Sequence, residues 1–328
     1  MKSIILLMVA YAAAAPQDGP AVILDMRIED RVVYFYDSPD YSKLAADPSS
    51  TKQNARTFSQ FVSIADIVSI NGKPVKGVWT IRATTLNLSP NPKPAEGIAD
   101  VVRANQADGV FEILQPDGTP IGTIATLGLS AGSAPPGAPL IAANTNFAVI
   151  GGTGAFLGVR GQQELVEVVK VEHLASVTED PANRRMNGAA AGIRRVVLHL
   201  IPMERPQVVS TSSGPAIVHS SNFRPVSTAN PAHAGENLTL FAAGLGPLRT
   251  VIDPGMPFPF SPIAAANSPV DVMVNGSPGL VSYAGGYPGA VNGYQVNFVV
   301  PPDAAPGLGA LQLSAAWVTG AQVPLPIR

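Results

Sequence analysis

Asn146-Phe147-Ala148-Val149-Ile150-Gly151-Gly152-Thr153-Gly154-Ala155-Phe156-Leu157-Gly158-Val159-Arg160-Gly161 decides how this chain folds. It reads as a strand, a glycine-rich turn and the start of a second strand. A dinucleotide-binding loop would also follow an apolar strand with glycines. That loop needs its third glycine at the position of Leu157, but the glycine stands at Gly158. It also needs a helix whose N-terminus holds the pyrophosphate. Here the valine-rich run Val159-Arg160-Gly161-Gln162-Gln163-Glu164-Leu165-Val166-Glu167-Val168-Val169 follows, and it reads as a strand. A cofactor loop is therefore rejected, and no cofactor is expected.

The flanks extend the β reading. Residues 22–28, 31–36, 58–70, 78–88, 110–114, 121–127, 162–173 and 193–201 are rich in β-branched and aromatic side chains. Asn71-Gly72 and Pro116-Asp117-Gly118 are turn signals between such runs. Residues 37–56 read as a long loop or short helix, and 131–139 as an irregular Pro/Gly loop. Sequential strands joined by turns, without alternating helices, predict a barrel or sandwich.

Composition narrows the class. The chain has 328 residues, net charge −2, 31 glycines, 32 prolines and no cysteine. That length suits two domains, and the Gly/Pro content opposes long helices. No basic excess points to nucleic acid. The missing thiols exclude thiol catalysis, thiolate metal sites and an N-terminal lipid-modified cysteine. Residues 1–14 predict an export signal: Lys2, then an apolar run too short to span a bilayer, then Ala12 and Ala14 before the cut. A secreted or cell-surface location is expected. Of 21 basic residues, 18 precede Pro206. The polar, proline-bounded stretch 205–215 reads as a linker.

Two catalytic motifs are weak. Gly128-Leu129-Ser130-Ala131-Gly132 matches a nucleophile elbow, but Pro135 and Pro136 follow and block the helix that the elbow requires. His173, His199, His219 and His233 lack the spacing that puts two imidazoles on one metal; no metal is expected.

Alternation along 156–164 places Phe156, Gly158, Arg160, Gln162 and Glu164 on one face of a strand. Two readings stand. If this face lines a lumen, Arg160 needs an acid such as Glu164, and the polar spot orients a ligand. Otherwise the face is solvated exterior.

Gly151-Gly152-Thr153-Gly154-Ala155-Phe156, followed by Arg160-Gly161, resembles the motif of plant dirigent proteins and allene oxide cyclases. The resemblance is clearest over 77–165. It implies an all-β fold with an eight-stranded antiparallel barrel, often trimeric, whose cavity binds small hydrophobic or phenolic molecules. It implies Gly151, Gly152, Thr153, Gly154 and Gly161 as structural motif residues, Phe156 as a barrel plug and Arg160 as a pocket residue; the polar stripe adds Gln162 and Glu164 as pocket candidates beside Arg160 and Phe156. The family's cavity acids are not fixed by any motif here; Asp100, Asp108 and Glu112 are the candidates, and the catalytic residues stay open.

The segments 216–223, 235–247, 270–276, 293–301 and 305–307 resemble, in order, the C-terminal immunoglobulin-like domain of secreted Acidobacteria-type proteins. Val270, Val272 and Val274 alternate with Asp271 and Met273 before the turn Asn275-Gly276, as a half-buried strand does. Met256-Pro257-Phe258-Pro259-Phe260 is either an exposed contact or a loop folded onto its own sandwich. The expected organisation is a signal peptide (1–14), barrel (20–204), linker (205–215) and immunoglobulin-like β-sandwich (216–328). The expected function is binding or steering of a small hydrophobic or aromatic molecule, with surface or matrix attachment through the second domain. The alternatives are a cyclase or isomerase in the same cavity and a non-catalytic structural protein. A homotrimer is implied by resemblance alone.

Overall fold

The computed structural model describes residues 21–36, 58–86, 104–130, 147–167, 173–174, 180, 193–253 and 255–328. The expected export signal, the connections at 37–56 and 131–139, and Asp100 lie outside the described residues. The chain is all-β. Strands β1 (Val22–Tyr36), β2 (Phe58–Ile70), β3 (Lys76–Leu86), β4 (Ala104–Leu114), β5 (Pro120–Ser130), β6 (Phe147–Gly154), β7 (Arg160–Glu167) and β8 (Arg194–Ile201) each pair antiparallel with the next. Strand β8 pairs with β1, which closes an up-and-down barrel of eight strands. Closure leaves no free sheet edge.

Two strands differ from the sequence reading. Runs 22–28 and 31–36 form one strand, β1, with register shifts around Ile28 and Glu29 and with Asp30 at φ 52°. Such a bulge bends a strand and re-aims the side chains after it. Arg31 is thereby buried and donates from Nε to Ser63 Oγ on β2. Strand β4 begins at Ala104, because ladders to β3 and β5 hold its weak formers 104–109 from both sides.

Short turns at 71–75, 115–119 and 155–159 share one end of the barrel. Bulky side chains fill that half. Trp79 stacks on Phe111 at 5.5 Å and 10°, among the buried Ile67, Ile113, Ile124 and Phe156. Towards the other end the inner wall of β3 and β4 narrows to Ala83, Ala107 and Gly109.

The second unit comprises β9 (Gln207–Val208), β10 (Ile217–His219), β11 (Asn237–Ala243), β12 (Val270–Val274), β13 (Ser277–Gly286), β14 (Tyr294–Val299), β15 (Gly307–Ala315) and β16 (Val318–Ile327). They form one curled sheet in the order β9-β11-β14-β13-β12-β15-β16, with β10 also on β11. Strand β13 pairs first with β12 and then, from Leu280, with β14, so it carries the sheet around its own core. That core holds Leu238, Leu240, Val272, Val274, Val296, Phe298 and Leu311. Asn275 and Gly276 form the expected turn, at φ 51° and 84°. Within the stretch read as a linker, Gln207–Val208 pairs with Ala243 and Ala242, and Ser210–Thr211 pairs with Gly214–Pro215.

In this unit His219 is buried, with Nδ1 2.6 Å from Glu236 Oε1 and Nε2 3.2 Å from the Asn230 carbonyl oxygen. The His233 N–H donates to Glu236 Oε2 at 2.9 Å. Burial pushes the Glu236 carboxyl up, but the hydrogen bonds from His219 and His233 outweigh it and hold the group below the ordinary glutamate range. A lowered folded-state pKa contributes stability that is present above the unfolded value and lost as pH falls through the folded one. Thermal melts from pH of about 6 down to about 3 are therefore expected to show a loss that Glu236→Gln flattens, about 0.5–1 kcal/mol after solvent screening. Identical pH slopes for the two proteins would contradict this.

The two units are packed together. Ala316 and Val318, at the β15–β16 hairpin tip, are 1% and 5% exposed within the barrel's own core cluster, and Trp317 packs on it. Gln115 Nε2 donates to the Asn267 carbonyl, and Asn267 Nδ2 donates to the Pro120 carbonyl. Lys73 meets Asp271 at 2.8 Å, and Arg249 Nη2 donates to Gln115 Oε1 at 3.1 Å. Arg205 Nη1 donates to the Thr319 carbonyl at 2.8 Å. The short-turn end of the barrel is thus covered.

Candidate functional site

The glycine-rich motif builds a tight corner between β6 and β7. Ala155 N–H donates to the Ile121 carbonyl at 3.1 Å, Phe156 N–H to Thr153 at 3.1 Å and Val159 N–H to Phe156 at 3.1 Å. A Cβ on Gly152 would lie 2.4 Å from the Phe156 carbonyl oxygen and 2.6 Å from that of Thr123. Gly154, at φ 60°, would meet the Ile121 oxygen at 2.5 Å, and Gly161, at φ 151°, the His199 oxygen at 1.9 Å. These three must be glycine for the backbones to approach so closely. Gly151 has room for a methyl group, its nearest neighbour being Arg160 Nη1 at 3.6 Å. Thr153 Oγ1 lies 2.7 Å from Thr123 Oγ1 across the β5–β6 ladder. Phe156 is buried at 2% exposure and belongs to the barrel core.

The register of β7 sorts its polar residues. Gly161 pairs with the inward Leu200 and Val149, and Gln163 with the inward Leu198 and Phe147. Arg160, Gln162 and Glu164 therefore alternate onto the outer face, where all three are exposed. Of the two readings of this stripe, the solvated exterior is the one this geometry gives. Arg160 Nη1 donates to the carbonyl of Val159 at 2.9 Å, and Glu164 lies 3.5 Å from His199 Nε2. Phe156 lies inside, apart from the other three. The acid candidates Asp108 and Glu112 sit on β4 positions that alternate with the buried Ala107, Gly109, Phe111 and Ile113, so they face outward too. Asp108 pairs there with Arg82 at 3.0 Å.

The polar residue of β7 that does project into the barrel is Gln163. It is 0% exposed, and neither Nε2 nor Oε1 has a hydrogen-bond partner among the described residues. The indole Nε1 of Trp79 is likewise buried without an acceptor among the described residues. A buried amide without partners costs about 1–3 kcal/mol, so such a group in a core asks for a function or a guest. Sequence reading passed over Gln163. The signal was present: among Val159, Gly161, Gln163 and Leu165, Gln163 is the one polar side chain.

Elsewhere several charges are paired. A groove of about 280 Å³ beside β1, β2 and β8 is lined by Asp25, Arg27, Ser69, Arg194 and Arg195, among others. Arg195 donates from Nε and Nη2 to Asp25 at 2.7–3.0 Å, and this holds the Asp25 carboxyl below the usual range. Arg27 pairs with Glu29 at 2.5 Å. Among the described residues no cluster of three His, Asp or Glu side chains is arranged to hold a metal. In the second unit Phe258 is folded inward, 5.3 Å from the Tyr294 ring, whereas Met256 and Phe260 are 57% and 78% exposed. No protein-family model, no curated protein and no solved structure matches this chain.

Proposed function

We propose that this is an exported protein whose barrel encloses a small, mostly apolar molecule bearing a hydrogen-bonding group, while the second unit serves for attachment. The observation that carries the reading is Gln163, fully buried between Phe147 and Leu198, with both amide atoms unpartnered among the described residues. A phenol or a hydroxylated acyl chain would supply both an acceptor and a donor there. Two features support it. The covered barrel end is filled by bulky residues, so a guest would sit in the half walled by Ala83, Ala107 and Gly109. The Gly152-to-Gly161 corner also resembles that of dirigent proteins and allene oxide cyclases, which hold ligands of this size. In this reading the orienting role passes from Arg160, on the outer face, to Gln163. A cyclase or isomerase would need acids facing the guest, and Asp108 and Glu112 face away from it.

A second reading, a filled structural barrel, is favoured by the stack of Trp79 on Phe111. One experiment separates the two. Native mass spectrometry of the purified chain, then titration with a panel of phenolics and oxylipins, is expected to show a bound compound. Gln163→Leu should weaken binding at least about tenfold, since a hydrogen bond of about 1.4 kcal/mol corresponds to that factor. The same variant should be as stable as the parent, or about 1 kcal/mol more stable, because it removes an unsatisfied buried amide. No retained compound and none bound from the panel would leave the structural barrel.

A further inference from the structure

One end of the second unit carries a set of protruding apolar side chains that its own core does not use. Val251 is 94% exposed, Met256 57%, Phe260 78%, Ile263 60%, Tyr287 43% and Val291 46%. They sit on two neighbouring loops, 250–263 and 287–293, which hold each other. Phe258 N–H donates to the Ala290 carbonyl and Gly289 N–H to the Phe258 carbonyl, both at 2.8 Å. A Cβ on Gly289 would lie 3.0 Å from Phe260 Cζ, so the exposed ring rests on the second loop. Beneath them Phe258 packs on Tyr294, and Tyr287 meets Phe241 edge-on at 5.3 Å. The exposed side chains therefore stand on a fixed base.

Two properties say what such a surface fits. The first is charge. From Val251 to Ile327 the sequence has no lysine or arginine, and within both loops the charged residue is Asp253. Anionic phosphates, nucleic acid or acidic lipid would find no cation within the loops, and Arg249, just before them, is engaged with Asp117 and Gln115. The second is the backbone. Loops that enter hydrocarbon must satisfy their polar groups internally. Here Met256 N–H donates to Asp253 at 3.1 Å, Tyr287 N–H to Gly293 at 2.8 Å and Ala290 N–H to Tyr287 at 3.0 Å. Pro257, Pro259, Pro262 and Pro288 have no N–H to desolvate. Aromatic and aliphatic tips on proline-rich loops whose backbone is partly bonded internally suit the boundary between headgroups and acyl chains.

We propose that these two loops dock the protein on an uncharged, zwitterionic lipid surface by inserting Phe260, Met256 and their apolar neighbours. This deepens the attachment role given to the second unit and rests on that role; it is independent of what the barrel binds. The test is flotation of the full chain with phosphatidylcholine vesicles. The chain is expected to float with the vesicles, and about 0.5 M salt or added anionic lipid should not strengthen binding. The double substitution Met256→Ser, Phe260→Ser should cut the bound fraction at least tenfold at an unchanged melting temperature, since both side chains are exposed. In addition, Phe260→Trp should show a blue-shifted emission component on adding vesicles. Absence of flotation would overturn the proposal, and so would binding that survives the double substitution. Concentration-dependent self-association in sedimentation, abolished by the same substitution without lipid binding, would overturn it in favour of a second copy of this chain. Ligand retention by the barrel is unaffected by any of these outcomes, so the two readings fail separately.

Discussion

Gly161→Ala is expected to destabilise the barrel by about 3–5 kcal/mol, a large share of the stability of an ordinary domain. Two costs add. At φ 151° the backbone occupies a region that side-chain-bearing residues rarely enter. The new methyl would also lie 1.9 Å from the His199 carbonyl oxygen, a backbone atom of the paired strand β8 that cannot move alone. Relief would require separating β7 from β8, and those strands belong to a closed ring in which each ladder constrains the next. Gly118→Ala is the control. It also has positive φ, 89°, but among the described residues nothing lies within 4 Å of where the new Cβ would be. Its cost is about 1 kcal/mol from conformation alone. Thermal unfolding followed by circular dichroism should show the Gly161 variant melting about 10 °C or more below the parent, and the Gly118 variant about 2–4 °C below. Equal shifts would mean that the β7–β8 approach does not set the requirement for glycine.

That requirement was legible because glycine clusters have few other uses. The run from Asn146 to Gly161, read against a missing helix and a valine-rich continuation, already implied a strand corner. Turns such as Asn71-Gly72 and Asn275-Gly276 were legible for the same reason: both positions need positive φ, and the residues state it. Facing was harder. Strand β7 has polar side chains on both faces, with Gln162 on one and Gln163 on the other, so period-two alternation offered two sets without saying which was inside. The neighbours decide it, through Phe147 and Leu198 beside Gln163, and those contacts span 16 and 35 residues of chain. Arg31 illustrates a further obstacle. Its inward position follows from a bulge at Asp30, an aspartate at φ 52° that carries no strong signal in sequence. The packing of the two units was least legible, because a hairpin tip of a buried alanine and a half-buried tryptophan looks like no standard turn.

That tip makes the sharpest test of how the units are joined. Ala316 and Trp317 occupy the two central positions of the β15–β16 hairpin at φ 47° and 64°, where asparagine and glycine are preferred. By local turn chemistry Ala316→Asp should help, since aspartate tolerates the left-handed region better than alanine. By packing it should harm, since Ala316 is 1% exposed within the barrel's apolar core cluster and an aspartate there would bury an uncompensated charge. The two effects differ in size. The turn gains about 0.5–1 kcal/mol, whereas an unpaired buried carboxylate costs about 3–5 kcal/mol. The expected result is a net loss of about 3 kcal/mol, a melting temperature lower by about 6–12 °C, and, by calorimetry, one transition dividing into two as the barrel base separates from the second unit. Trp317→Gly gives the same comparison without a charge: the preferred turn residue is introduced and the indole against the barrel is removed. It too should destabilise, by about 1–2 kcal/mol, because the lost packing exceeds the relieved strain. If either variant melted above the parent, turn strain alone would govern this hairpin. The hairpin tip would then not be seated in the barrel base in solution, and the end of the barrel that it covers would be open.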